Sequence, residues 1–184
     1  IGSTILSSFA SPSADPQGLA FDSSTGNLIS CDSSSDLIYV HDGISSSILT
    51  SFAAPAATPT GLTYDSSTGN LISCDALAGT IYIHDGVSST ISSSFASPET
   101  SFSDIVYDSS TGNLISCDAN SDTIYIHDGV SSTILNSFAS PAASPTGLAY
   151  DSSTGNLISC DANSDTIYIH DPTNKFALIL KESI

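Results

Sequence analysis

The chain has 184 residues, of which 19 are acidic and only two, Lys175 and Lys181, are basic, giving a formal net charge of −17. That balance excludes a phosphate-backbone partner, because nucleic-acid binding rests on Lys and Arg, and it disfavours an anionic membrane surface. No apolar run reaches the roughly 18 residues of a membrane-spanning helix, so membrane insertion is not expected.

Taken in order, residues 3–9 (Ser-Thr-Ile-Leu-Ser-Ser-Phe) read as a strand between Gly2 and Pro12, and a Pro-containing loop runs from Ala10 to Gln17. Residues 18–22 are a short strand in which Leu19 and Phe21 alternate with Ala20, and Ser-Ser-Thr-Gly at 23–26 is a turn. A strand at 27–32, a turn from Asp32 to Asp36 and a strand at 37–42 follow. Residues 47–52 then repeat the opening strand, and a second Pro loop, Ala53 to Thr60, leads to Gly61.

From there the pattern recurs. Asp-Ser-Ser-Thr-Gly-Asn-Leu-Ile-Ser-Cys-Asp stands at 22–32, 65–75, 108–118 and 151–161, a spacing of 43 residues. Each unit carries four short strands, a to d, with tight turns and no helical periodicity. Four-stranded units at this period predict an all-β chain folded as a β-propeller of four antiparallel blades. The expected organisation is one domain over 1–184, with repeats at about 18–60, 61–103, 104–146 and 147–184. Residues 1–9 form an extra outer-type strand in this reading, and a divergent fifth d strand falls around Phe176 to Lys181.

The copy at 147–171 carries Gly147, Leu148, Asp151, Asn156, Leu157, Asp161 and Ile167 in an order that resembles a blade of the NHL and YWTD group of β-propellers. The resemblance covers nearly the whole chain and implies a propeller fold. Two departures stand out: Ile158-Ser159-Cys160-Asp161 replaces Tyr-Trp-Thr-Asp of one branch, and Thr166 stands where the NHL branch usually has Arg.

In each unit strands b and c form a hairpin. One rim should therefore hold the a–b and c–d turns, and the other the b–c turns and Pro loops. Cys31, Cys74, Cys117 and Cys160 then lie most of a strand away from His41, His84, His127 and His170. A nucleophile needs its base within hydrogen-bond reach, so a Cys–His dyad is not expected. Equivalent cysteines on neighbouring blades should exceed the Cα separation of roughly 7 Å that a disulfide tolerates. Four reduced thiols packed between blades are the expectation, with each His capping a nearby turn. Asp118, Asn120 and Asp122, and again Asp161, Asn163 and Asp165, have the oxygen spacing of the first half of a calcium loop, although the usual Gly and distant Glu are missing. They are the candidate metal ligands, an Asx turn is the alternative, and no other cofactor is expected.

No phosphate loop, nucleophile elbow or zinc motif is present. Four near-copies offer no asymmetric catalytic constellation, so a propeller-type lactonase or lyase ranks below the other readings. The leading expectation is a non-catalytic extracellular or cell-surface structural protein that self-associates, as a surface layer or filament, through a terminal strand. The alternative is a multivalent module presenting a rim to a glycan or protein. Scarce Lys and Arg, which leave trypsin-like proteases few sites, and the absence of an initiator Met or signal peptide favour a processed extracellular chain.

Overall fold

A computed structural model describes residues 4–171. Among these residues fifteen strands form four antiparallel sheets, all meanders in chain order. Blade 1 holds β1 (Pro16–Asp22), β2 (Asn27–Asp32), β3 (Leu37–His41) and β4 (Ile48–Ala53). Blade 2 holds β5 (Pro59–Asp65), β6 (Asn70–Asp75), β7 (Thr80–His84) and β8 (Ile91–Ala96). Blade 3 holds β9 (Phe102–Asp108), β10 (Asn113–Asp118), β11 (Thr123–His127) and β12 (Ile134–Ala139). Blade 4 contributes β13 (Pro145–Asp151), β14 (Asn156–Asp161) and β15 (Thr166–His170). The expected propeller architecture is thus what forms, and no helix occurs among the described residues.

The repeated motif builds each a–b hairpin. Asp22 Oδ1 accepts the Ser24 N–H at 2.9 Å and its hydroxyl at 2.7 Å, and Oδ2 accepts the Thr25 hydroxyl at 2.6 Å. Burial pushes the Asp22 carboxyl up, but these hydrogen bonds outweigh it and hold the group down to about 2. The same hook closes the turns at Asp65, Asp108 and Asp151. On that rim the c–d turn joins the a–b turn: Gly43 N–H donates to Asn27 Oδ1 at 2.9 Å, and Leu28 N–H to the Gly43 carbonyl at 3.1 Å. On the other rim the Ser33 N–H reaches the Asp15 carbonyl, tying b–c turn to Pro loop. The two-rim division expected from the hairpins therefore holds.

No blade has a core of its own. Ile29, Cys31 and Ile38 of blade 1 pack on Leu62 and Leu71 of blade 2. Ile72, Cys74 and Ile81 of blade 2 pack on Phe102, Ile105 and Leu114 of blade 3. Ile115, Cys117 and Ile124 of blade 3 pack on Leu157 of blade 4. Inner strands touch in the order β1, β5, β9, β13. Tyrosines latch the same interfaces: Tyr64 donates to Ser24 Oγ at 3.1 Å, and the Tyr107–Ser67 and Tyr150–Ser110 pairs lie at 3.1 and 2.6 Å.

One expectation fails. Residues 4–9 join no sheet, so the predicted strand at 3–9 does not form. A d strand pairs with the c strand of its own blade, as β4 does with β3, and among the described residues no c strand pairs with residues 4–9. The predicted strand around Phe176 to Lys181 lies outside them.

The axial approach depends on missing side chains. A Cβ on Gly18 would stand 2.8 Å from the Leu62 backbone nitrogen and 3.0 Å from Gly61 backbone atoms. Gly18→Ala should therefore force β1 and β5 apart, at a cost of about 1–3 kcal/mol. Urea unfolding of the variant checks this; unchanged stability would show that the blades do not need this contact.

Candidate functional site

Four groups of side chains and the single residue Asp104 bear on function, and the fold places each group in a repeating structural role or at an end of the array. The first is the histidines. The c–d ladder slips at Val40–His41, Ile83–His84 and Ile126–His127, a bulge that places one extra residue on each d strand. His41 Nδ1 then lies 2.7 Å from the Ser45 carbonyl oxygen and Nε2 lies 2.9 Å from Ser30 Oγ. A carbonyl only accepts, so Nδ1 carries the proton and the Ser30 hydroxyl donates to Nε2. His84 with Ser73 and His127 with Ser116 repeat the arrangement at the same 2.9 Å. In blade 4 Ser159 and His170 stand 2.9 Å apart. The capping of a turn was legible in the sequence, but the serine partner was not. Ser30 and His41 are 11 residues apart on adjacent strands, and the b–c register, with Ser30 opposite Tyr39, sets His41 diagonally across from it on the same face.

A Ser–His pair is the beginning of a nucleophilic site, yet His84 and His127 are fully buried and each serine lies beneath the sheet surface. Burial also holds His84, His127 and His170 below the ordinary imidazole value of 6.5.

The thiols form the second group. All four cysteines are free, and Cys31, Cys74 and Cys117 are buried in the between-blade clusters. Cys31 Sγ accepts the Gly18 N–H at 3.2 Å. Burial pushes the Cys31 thiol up to about 12 and Cys74 and Cys117 well above the usual range. These are unreactive packing thiols. The histidines stand at the other rim, as the hairpin geometry required.

Asp104 is an acidic side chain within the inner strand β9. It occupies the position held by Gly18, Gly61 and Gly147 in the other blades. Its Oδ2 accepts the Leu148 N–H at 2.8 Å and Oδ1 accepts the Ile105 N–H at 2.9 Å. Burial raises its carboxyl from 3.8 to about 7, against the pull of those two donors. The sequence shows the substitution, but not that it fills the space the neighbouring glycines leave.

The third group is the b–c turns with the candidate calcium ligands. Asp118 Oδ1 accepts the N–H groups of Asn120 and Ser121 at 2.9 and 2.8 Å, and Oδ2 accepts the Ser101 N–H at 2.8 Å. Asp161 Oδ1 likewise accepts from Asn163 and Ser164 at 3.0 and 2.8 Å. These are Asx turns. Asp122 and Asp165 adopt φ of 51°, Asp36 54° and Gly79 56°. The third residue of the acidic pattern thus marks a left-handed backbone position, which Gly and Asp tolerate, and this accounts for Gly79 in the copy that breaks the pattern. Asn120, Asn163 and Asp165 are exposed. Among the described residues no cluster of three or more His, Cys, Asp or Glu side chains could hold a metal ion. Asp122 has an added contact: its Oδ1 accepts the Ser144 N–H at 2.8 Å. In blades 1 to 3 the matching N–H goes to the first Asp of the turn, so Asp161 Oδ2 is left without a partner.

The last group is the two ends of the array. Leu19 and Phe21 of blade 1 are 62% and 49% exposed, whereas Leu62 and Tyr107 at the same positions are buried. Ile167 and Ile169 of blade 4 are 71% and 70% exposed, whereas Ile124 is 0% exposed. Beside Leu19 lies a hollow lined by Phe9, Pro12, Pro16 and Leu28. These faces were not singled out from the sequence, because every repeat reads alike and only position in the array separates an end from an interior.

No family model matches the chain, and no curated protein matches it. Among solved structures the chain is similar to a crystal structure of the WD40 β-propeller domain of Doa1, with a TM-score of 0.65 and 18% sequence identity. The similarity covers 85% of this chain and 50% of that one, so the chain spans half the length of that structure. A β-propeller is therefore the shared fold. The resemblance to the NHL and YWTD branches has no support from these comparisons.

Two outcomes follow. Asp104, raised in the folded state, lends stability below about 4 and loses it as pH climbs through about 7. Histidines lowered by burial act oppositely: their contribution is present above 6.5 and is lost on acidification. The stability of the wild type minus that of Asp104→Asn should accordingly fall as pH rises from about 4 to 8, and urea unfolding across that range measures it; a constant difference contradicts the assignment. In the third b–c turn, Asp122→Gly should shift Tm little, since Gly suits the left-handed position and the Ser144 N–H gains access to Asp161. Asp118→Ala should cost about 1–3 kcal/mol through the N–H groups it orphans. Equal losses from both in thermal unfolding would mean that Asp122 is more than a turn residue.

Proposed function

We propose that this is a non-catalytic propeller scaffold of the extracellular or cell-surface space, which assembles by joining copies of itself end to end. The observation that carries the reading is the pair of exposed end faces. Leu19 and Phe21 at one end, and Ile167 and Ile169 at the other, are the two halves of the interface that buries their counterparts between neighbouring blades. Each end is thus complementary to the other, and a second copy supplies the match. Head-to-tail contacts of this type build rings or filaments. Burying the four side chains fully is worth about 1.5–3 kcal/mol each, of the same order as the roughly 4–15 kcal/mol that association costs. The faces alone therefore give a weak, concentration-dependent contact.

The non-catalytic reading rests on the Ser–His pairs, buried in blades 1 to 3, and on the buried thiols of Cys31, Cys74 and Cys117. The extracellular placement rests on composition alone, with two basic residues as protease sites. A second reading, a multivalent module for a glycan or protein, is favoured by the exposed polar b–c turns that repeat around one rim, Asn120 and Ser121 recurring as Asn163 and Ser164.

Size-exclusion chromatography with light scattering tests the first reading. The wild type should show a mass that rises with concentration, and Leu19→Asn combined with Ile167→Asn should yield a monomer. A wild type that stays monomeric at every concentration leaves the rim-binding reading in its place.

A further inference from the structure

We propose that residues 4–10 of one copy add as an outer, fourth strand to β15 in the last blade of a second copy. The inference rests on the end-to-end reading and specifies how the ends lock. Two incomplete halves motivate it. β15 has no outer neighbour in its sheet among the described residues, whereas β3, β7 and β11 each have one. Residues 5–10, Ile-Leu-Ser-Ser-Phe-Ala, repeat the sequence of β4 (Ile-Leu-Thr-Ser-Phe-Ala) and β12 (Ile-Leu-Asn-Ser-Phe-Ala), yet they join no sheet.

The segment is already placed for the task. In the interior, the phenylalanine of each d strand lies on the histidine of the following blade: Phe52 on His84 and Phe95 on His127, with ring centroids 5.9 Å apart. Phe9 lies on His41 at the same 5.9 Å. Residues 4–10 therefore sit against blade 1 where the outer strand of a preceding blade would sit. Among the described residues no c strand lies beside them, and in the proposed joint β15 of a second copy takes that place. Ile5 and Leu6 are 80% and 97% exposed, as expected of a strand without its neighbour. A c strand with an open edge presents unpaired N–H and C=O groups that recruit such a segment.

The repeat fixes the register. β11 pairs with β12 as Ile124 opposite Phe138, Tyr125 opposite Ser137, Ile126 opposite Asn136 and His127 opposite Ile134; β3 with β4 and β7 with β8 pair alike. Carried one repeat on, Ile167 stands opposite Phe9, Tyr168 opposite Ser8, Ile169 opposite Ser7 and His170 opposite Ile5. In this docking Ile167 enters the hollow beside Leu19 and Leu28, as Ile38 meets Leu62 and Leu71. One contact is absent. Phe21 replaces the tyrosine whose hydroxyl latches the interior blades, so it offers nothing to Ser153 of a second copy.

Two measurements test the proposal. A Ser8→Cys chain mixed with a Tyr168→Cys chain should form a disulfide between copies on oxidation, located by peptide mapping under non-reducing conditions. Ser8→Cys mixed with Thr166→Cys, out of register, should not. Separately, Phe21→Tyr should restore the latch and tighten self-association by about two- to tenfold in sedimentation equilibrium. If the copies associate and Leu19→Asn disperses them, but neither the in-register link nor the Phe21→Tyr gain is seen, strand addition is overturned while end-to-end joining stands. If no self-association occurs at any concentration, both fall.

Discussion

The face between one blade and the next is the constraint on which the molecule depends. Each hydrophobic cluster is drawn from two blades, with isoleucines of one sheet set against leucines and Ile105 of the next. A lone sheet of these strands would leave both apolar faces in water, and a small sheet of that kind is marginal by itself. Stability is then a sum of nearest-neighbour contacts, as in other repeat architectures. The axial glycines and the tyrosine latches serve the same end, the first by admitting close approach of the inner strands and the second by fixing the turns across each seam. In such an array the end blades are the least supported, and their free faces are determined by the same residues that make the interior stable.

Much of this was legible in the sequence because the repeat is short and its local chemistry is strong. Asp22 with Ser24 and Thr25 states its turn in adjacent residues, and the alternation of Leu19, Ala20 and Phe21 states its strand. The opposite-rim placement of Cys31 and His41 followed from hairpin geometry alone. What escaped depended on long-range pairing. Ser30 meets His41 diagonally across the b–c ladder, a contact that only the register of the two strands sets. The left-handed backbone of Asp122, the candidate calcium ligand, is invisible in its own residue type, although Gly79 at the matching position was the clue that the turn needs such a conformation. The strand at 3–9 was read from composition that matches β4, yet a strand needs a neighbour as well as a propensity, and residues 4–9 have none within their own sheet.

Asp104 shows how one substitution breaks a near-perfect repeat. Three glycines and one aspartate share the axial position, and a Cβ on Gly61 would stand 2.6 Å from the aspartate oxygen. The channel has room for one such side chain in that neighbourhood. Its carboxylate ties the Leu148 N–H of blade 4 to blade 3, where Thr63 performs the corresponding tie to Tyr107 one blade earlier. Different residues thus satisfy inward-facing backbone donors at successive seams, which a buried N–H requires.

The charge of the chain bears on its proposed assembly. Two copies at −17 repel over about a Debye length, near 10 Å at 0.1 M salt. That field opposes the indiscriminate edge pairing to which strands such as β15 are open. The residues of the end faces, Leu19, Phe21, Leu28, Ile167 and Ile169, carry no charge, while acidic groups such as Asp22, Asp151 and Asp165 stand in the turns at the rims. Repulsion therefore acts on approach, and the short-range apolar fit acts only when Ile167 of one copy meets Leu19 of another. A contact built this way should strengthen with salt, since screening removes the long-range term and leaves apolar burial and main-chain pairing in place. In the proposed assembly the acidic surface and the apolar ends act together, the first against wrong partners and the second toward a copy of the same chain.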